Sequence, residues 1–241
     1  MFGLTGSERT TVRNVQLASL LALLAGMLNS VGFVAVSAYT SHMTGLTATV
    51  ADSLVVGFDE LAWLAVVALA AFVVGAMTCA VVFNWGRRRD LRGRYANVLV
   101  IEALLVLAFG LLAEQLHGPH RAFVFISVLG FTMGLQNAII TKLSGAQIRT
   151  THVTGMITDI GIEIGKAAYR ERTPGLPPVT ADARKLGVLV LLVALFFMGG
   201  VLGALGYLRF GFPVVVPMAL VLLVVASPPV LQDLRRRAQS D

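Results

Sequence analysis

The chain of 241 residues is 56% hydrophobic and only 13% charged, with a mean hydropathy of +0.81. A soluble globular chain carries roughly a quarter charged residues, so this composition excludes a disordered chain, a coiled coil and an ordinary soluble enzyme. The net charge of +6 would suggest nucleic-acid binding in a soluble protein. Here the basic residues cluster in short loops between apolar runs, a pattern that orients membrane proteins. We therefore expect an all-α polytopic membrane protein whose partner is the lipid bilayer, not nucleic acid.

Six apolar segments are long enough to cross a bilayer as helices. The first is too long for the apolar region of a signal peptide, so we expect it to be retained. Two shorter, more polar segments, 43–58 and 153–168, each follow a full span directly and predict either re-entrant helices or helices at the membrane surface. The six predicted spans are 15–38, 62–83, 97–115, 121–140, 187–208 and 212–231.

The distribution of Lys and Arg favours six spans with both termini in the cytoplasm. If neither short segment crosses, 17 of the 19 basic residues lie inside, and only Arg121 and Arg209 lie outside. Eight spans give 11 inside and 8 outside, whereas seven spans with an external N-terminus give 15 and 4. Short cytoplasmic loops are enriched in Lys and Arg, so six spans are preferred and seven are the alternative. The proline- and charge-rich segment 169–186 is then a cytoplasmic loop.

Three short patterns recur in the same order and indicate an internal duplication. The first is [ST]-His-x-Thr-Gly, which occupies residues 41–45 and again residues 151–155. Upstream and downstream echoes accompany both copies. They are Gly26-Met-Leu-Asn29 with Gly134-Leu-Gln-Asn137, and Phe72-Val-Val-Gly75 with Phe197-Met-Gly-Gly200.

The duplication divides the chain into two membrane repeats. We expect the first at 15–115 and the second at 121–231, between a cytoplasmic tail at 1–14 and a basic tail at 232–241. Each repeat reads as a span, a short polar helix and two further spans. Because three crossings is an odd number, the second repeat is predicted to be inverted relative to the first, an architecture that recurs in secondary transporters.

The two motifs, with Asn29 and Asn137 upstream of them, resemble the YoaK family of bacterial integral membrane proteins. The likeness covers roughly residues 15–231, and that family has been catalogued as a domain of unknown function. The resemblance implies a location in the bacterial cytoplasmic membrane, and it implies no particular substrate or activity.

The segment 153–168 concentrates the ionisable residues on one face. On a helical wheel Asp159, Glu163 and Lys166 lie together, His152 joins them if the helix reaches it, and aliphatic residues occupy the opposite side. Glu163 and Lys166 have the spacing of an ion pair, which leaves Asp159 and His152 less committed. A carboxylate at membrane depth costs several kcal/mol unless it is paired or hydrated, and is a default candidate for proton or solute handling. An amphipathic helix at the cytoplasmic surface is the alternative.

The first motif carries a milder polar face, and both motifs place Thr-Gly at a helix start. There a hydroxyl can cap free N–H groups, and glycine lets backbone or solute approach. Asn29 and Asn137 suit either interhelical hydrogen bonds or solute contact. Glu102 is expected near the inner interface, within reach of water. The candidate substrate- or proton-handling residues are His42, Thr44, Gly45, Thr49, His152, Thr154, Gly155, Asp159, Glu163, Asn29 and Asn137.

Three functions are compatible with these patterns. We favour a secondary transporter or channel for a small polar solute, with proton coupling through Asp159, Glu163 and the two histidines as a sharper version. A membrane scaffold or accessory subunit comes second, and an intramembrane enzyme third, since HExxH and GxSxG motifs are missing. We expect no cofactor or metal, and self-association into a homo-oligomer is compatible with the sequence.

Overall fold

The computed structural model describes residues 10–37, 39–118, 120–144, 150–170 and 178–239, and these residues form an all-helical protein. Parts of the predicted N-terminal tail, the 169–186 loop and the C-terminal tail, together with Arg149, lie outside the described residues. Two 3-10 turns follow α4 and precede α8, at Ala113–Gln115 and Phe212–Val215. The helices are α1 (Thr11–Val36), α2 (Met43–Val56), α3 (Asp59–Arg88), α4 (Ala96–Leu112), α5 (Arg121–Ser144), α6 (Val153–Ala168), α7 (Ala183–Phe210) and α8 (Val216–Arg237).

Six of these helices are long and apolar enough to cross a membrane, and they confirm the six predicted spans. Capping extends two of them beyond the apolar runs. The hydroxyl of Thr10 accepts the amide of Arg13 at the start of α1, and Asp182 accepts the amide of Lys185 at the start of α7. At 14 and 16 residues, α2 and α6 are about 21–24 Å long, less than a bilayer core requires.

Glycines bring the two repeats into close contact. A β-carbon at Gly26 on α1 would overlap the carbonyl oxygen of Phe196 on α7, and one at Gly134 on α5 would overlap the carbonyl oxygen of Phe72 on α3. Thus the first helix of each repeat packs on the second spanning helix of the other. These contacts also correct the downstream echo by one residue: Phe72 is equivalent to Phe196, and Gly75 to Gly199, each of which faces a carbonyl on the partner helix.

Contacts along the helices fix their relative directions. Leu23 and Met27 on α1 meet Gly199 and Gly203 on α7 in the same order, so these two helices are parallel. In the same way Ala68 and Phe72 on α3 meet Gly130 and Gly134 on α5, which makes that pair parallel as well.

The central pair α1 and α5 is antiparallel. Gln136 donates to the carbonyl oxygen of Leu21 at 2.9 Å, and Asn14 donates to that of Leu143 at 3.3 Å. The pair α4 and α8 is antiparallel too, since Gly93 meets Val230 whereas Gly110 meets Val215. Equivalent helices of the two repeats therefore run in opposite directions, and the repeat is inverted.

The directions also decide how the short helices are placed. Because α3 runs opposite to α1, the chain leaves α1 and enters α3 at the same end of the bundle, so α2 does not cross. The same argument applies to α6 between α5 and α7. Six crossings follow, with α2 and α6 at opposite ends.

Basic residues gather at one end of the bundle. The loop before α4 binds the end of α8, since Asp233 accepts the amides of Arg92 and Gly93 at 3.1 and 2.7 Å. The starts of α1 and α7, the end of α5 and the helix α6 lie at this same end, whereas Arg121 and Arg209 lie at the other.

Candidate functional site

Each short helix is tied to the preceding span by an equivalent hydrogen bond. The side-chain oxygen of Asn29 accepts from the amide and the hydroxyl of Ser41, at 3.1 and 3.0 Å. The side-chain oxygen of Asn137 accepts from the hydroxyl of Thr151. This bond explains why an Asn precedes both motifs: each Asn joins its span to the loop residue just before the short helix, which is neither a bond between two helices nor a solute contact.

These bonds draw the chain back along the span it has just left. Asn29 and Asn137 each lie seven residues before the last residue of their helix, which corresponds to about 10 Å along the axis. Ser41 and Thr151 return to that level, and α2 and α6 begin directly after them. Both segments are therefore re-entrant hairpins: hairpin 1 (residues 29–56) enters from one end of the bundle and hairpin 2 (residues 137–168) from the other.

The first turn of each short helix is built around a histidine. His42 and His152 are the N-cap residues, and neither side chain caps the helix amides. The imidazole instead lies over Gly45 or Gly155, where a β-carbon would overlap the ring. The His-x-x-Gly spacing thus has a steric cause, and Thr44 and Thr154 are exposed beside it. The capping role expected of these threonines is not what the N-cap geometry shows.

α6 buries one carboxylate of its ionisable face and exposes part of its aliphatic face. Glu163 is 1% exposed, whereas Ile157 and Ile164 are 55% and 54% exposed. The rest of the two faces is mixed: Asp159 and Lys166 are partly exposed, while the aliphatic face also includes residues that pack against the core. Glu163 thus faces α7, and the outward aliphatic side chains suit contact with lipid.

Glu163 is fully engaged in holding α6 to the start of α7. One oxygen accepts the amide of Asp182 at 2.9 Å, and the other pairs with Lys166 at 2.9 Å, with Lys185 at 3.6 Å. The amide of Asp182 and the ammonium of Lys166 hold the pKa of Glu163 below its ordinary value. These contacts give Glu163 a structural role in anchoring α6.

Asp159 is half-exposed one turn earlier and pairs with Lys185, with 3.5 Å between Oδ2 and Nζ. The helical wheel left Asp159 less committed than Glu163, and the structure gives it an ionic partner from another segment. An open cleft of about 810 Å³ begins at this pair and runs between the starts of α1 and α7 and the first turns of α6. Its lining includes Thr11, His152, Gly155, Asp159, Lys185 and Leu192.

The cleft gathers candidates from the second motif only. His152, Gly155 and Asp159 line it, whereas His42, Gly45 and Thr49 belong to hairpin 1 at the other end of the bundle. By the pairing of α1 with α5, the levels of Asn29 and Asn137 differ by about 14 Å. The lining of this cleft includes no residue of the first motif. Within them, no three His, Cys, Asp or Glu side chains lie close enough together to hold a metal ion.

Sequence reasoning missed several polar groups. Thr40 and Thr150 are buried directly before the tethering residues, and their hydroxyls have no hydrogen-bond partner within the described ranges. The signal was available, since both motifs extend to Thr-[ST]-His-x-Thr-Gly. Lys185 was read only as a loop charge. Glu102, expected within reach of water, is completely buried in α4.

This geometry defines a class: a polytopic helical membrane protein built from an inverted repeat, with one re-entrant hairpin in each half. A family model described as a protein of unknown function, DUF1275, matches residues 17–227. The chain belongs to that family, and the likeness to the YoaK family is consistent with this match. No curated protein and no solved structure matches the chain.

Proposed function

We propose that the protein is a secondary transporter or channel for a small polar solute, and that the cleft at α6 is the solute's entrance on one side. The observation that carries the proposal is the pair of re-entrant helices, whose first turns lie within the thickness of an inverted six-helix repeat. Inverted repeats with discontinuous helices are a recurring way to build a site that opens alternately to two sides.

The cleft has the chemistry of a polar site. The uncapped first turn of α6 presents backbone N–H groups, which favour an anion or a carbonyl oxygen. Asp159 and Lys185 at the mouth supply a carboxylate and an ammonium that a solute or proton must separate in order to pass. Because Lys185 also contacts Glu163, it keeps an ionic partner when a solute separates it from Asp159.

The orientation of the protein follows from its charges. The end that carries α6 also holds most of the basic residues, and the positive-inside rule assigns that end to the cytoplasm. In a bacterial cytoplasmic membrane the cleft would then face the cytoplasm, both termini would be cytoplasmic, and hairpin 1 would enter from outside.

The experiment is a flux assay with purified protein in liposomes. Glycerol and urea serve as neutral probes by light scattering, and acetate and methylammonium as charged probes with an internal pH dye. We expect at least one probe to cross faster than in protein-free liposomes. Asp159→Asn should lower its flux by at least about tenfold and remove its dependence on pH. Equal rates in wild-type and protein-free liposomes for all four probes would contradict transport of these solute classes.

A matched control separates the site from general damage. Asp52→Asn makes the same change on the exposed face of α2, outside the cleft, and should leave flux unchanged. Asp159 is part of an exposed pair, whose loss costs about 0–1 kcal/mol, so Asp159→Asn is expected to fold. If both variants transport at the wild-type rate, Asp159 has no role in transport even though transport itself stands.

A further inference from the structure

Glu102 is the one carboxylate of the described chain that is buried without compensation. Its side chain is 0% exposed, and neither carboxyl oxygen has a hydrogen-bond partner among the described residues. The other buried carboxylate, Glu163, by contrast accepts an amide and pairs with two lysines. Glu102 has no role in the cleft described above.

Along α4, Glu102 lies at a level about halfway between the two ends of the contact with α8. That contact reaches from Gly93, against Val230, to Gly110, against Val215. Glu102 lies nine residues from the first and eight from the second, or about 12–14 Å from each end. The carboxyl group thus lies deep along a membrane-spanning helix, about midway between the two ends of this contact.

The helices around Glu102 provide no charge that would neutralise it. On α3 the thiol of Cys79 is near enough to interact electrostatically with both Glu102 and Lys142 of α5. Lys142 itself lies over the ring of Phe83, 5.1 Å from its centroid. On α4 the nearest ionisable groups are Tyr95 and Arg94 at the helix start. The helix α8 has no ionisable residue before Asp233, which binds the amides of Arg92 and Gly93.

An isolated carboxylate in such a place is too costly to persist. Burying an uncompensated charge costs several kcal/mol or more, and a group in this situation takes up a proton instead. The neutral acid still carries an unbonded O–H, so its burial has a remaining cost that an inert leucine would avoid. We propose that Glu102 is a proton-binding site inside the membrane, protonated while the packed helices keep water from its carboxyl group and deprotonated when water reaches it.

This site lies apart from the solute cleft, and proton binding at Glu102 does not rest on the proposed function. An apolar groove of about 430 Å³ lies between α3, α4 and α8, and its lining includes Trp85, Val230 and Ile101, the residue before Glu102, but not Glu102 itself. An apolar reagent in this groove would lie next to the helix turn that carries Glu102.

Dicyclohexylcarbodiimide tests the proposal on the wild-type protein in liposomes, without any transport assay. A protonated carboxyl gives its proton to one carbodiimide nitrogen while its oxygen bonds to the central carbon. The resulting O-acylisourea rearranges to a stable N-acylurea, which adds the whole reagent and releases nothing. We expect one adduct, on the peptide containing Glu102, formed at neutral pH and reduced at least fivefold when the pH is raised to 10. The ion-paired Glu163 is the internal control and should remain unmodified.

Two results would overturn the proposal. One is an unmodified Glu102 peptide at neutral pH, and the other is equal modification at every pH, which would describe a permanently neutral structural acid. Infrared spectroscopy provides a second readout: the protonated carboxyl C=O band should shift in D₂O and be missing in Glu102→Gln. If that variant does not fold, the wild-type labelling still decides. A flux assay that finds no transport would leave this result unaffected, so the two proposals fail separately.

Discussion

The two hairpins share one skeleton and differ in their charges. In both, an Asn of the preceding span binds a hydroxyl residue, and a histidine ring lies over a glycine of the next turn. One helical turn further the copies diverge. Thr49 in hairpin 1 bonds to the carbonyl of Gly45 in its own helix, whereas Asp159 at the equivalent place in hairpin 2 pairs with Lys185.

The next turn shows the same contrast. Ser53 and Glu163 occupy equivalent positions and are both buried, at 3% and 1% exposure, but Glu163 is an ionisable group held by the amide of Asp182, by Lys185 of α7 and by Lys166 of its own helix. The hydrogen bonds that form the hairpin are thus common to both repeats, whereas the ion pairs described here belong to hairpin 2.

The largest expected effect concerns the sides from which the two hairpins enter the bundle, which are predicted to be opposite. Thr44 and Thr154 are exposed and equivalent, so each can be changed to Cys in a Cys79→Ala background. A membrane-impermeant thiol reagent added to intact cells should label Thr44→Cys, and label Thr154→Cys only after the membrane is opened. The expected difference is all or none, because a charged reagent does not cross the bilayer.

Two exposed turn residues serve as controls for that labelling. Gln115→Cys lies at the end of the bundle that holds α2, and Gln239→Cys at the end that holds α6. Labelling of both hairpin cysteines from the same side, with these controls on opposite sides, would refute the inverted arrangement of the hairpins.

The close packing of α1 on α7 and of α5 on α3 predicts a second, smaller effect that should be equal in the two halves. Gly26→Ala and Gly134→Ala each place a methyl group against a carbonyl oxygen of the partner helix. Overpacking of this kind costs about 1–3 kcal/mol, so both variants should lower the melting temperature in detergent by several degrees. A large loss for one glycine and none for the other would show that the repeats do not pack equivalently.

The control for this close packing is Gly187→Ala. This glycine lies in α7 with open space where a β-carbon would stand. Alanine is preferred to glycine in a helix by up to about 1 kcal/mol, so this variant should melt at the wild-type temperature or slightly above it. A loss as large as that of Gly134→Ala would remove the packing explanation.

The sequence predicts features that depend on residues close together in the chain, and it does not predict contacts between residues that are far apart. Six spans follow from local hydropathy, and the motif spacing alone identified the repeat and the Asn29 and Asn137 positions. Partners far apart in the chain were not accessible: that Asp159 meets Lys185 depends on how α6 returns to α7 after a loop. Glu102 is near a helix start in the sequence, and only the packed structure shows that its side chain is buried. The one-residue error in the Phe–Gly echo has the same origin, since only the helix contacts distinguish Gly199 from Gly200.

The smallest expected effect is an acid-dependent loosening of hairpin 2 alone. The pKa of Glu163 is lowered in the folded protein, so the unfolded chain binds more protons in that range, and the stability that Glu163 contributes is lost as the pH falls through its folded value. That window lies below the ordinary glutamate pKa of about 4.3. The protection of amides against hydrogen exchange, relative to the intrinsic exchange rate at each pH, should therefore fall in α6 and at Asp182 below about pH 4, but not in α2, where Ser53 does not titrate. Glu163→Gln should have lower protection than wild type at neutral pH and show no further fall in acid, and an identical acid response in the two hairpins would mean that Glu163 is not the group responsible.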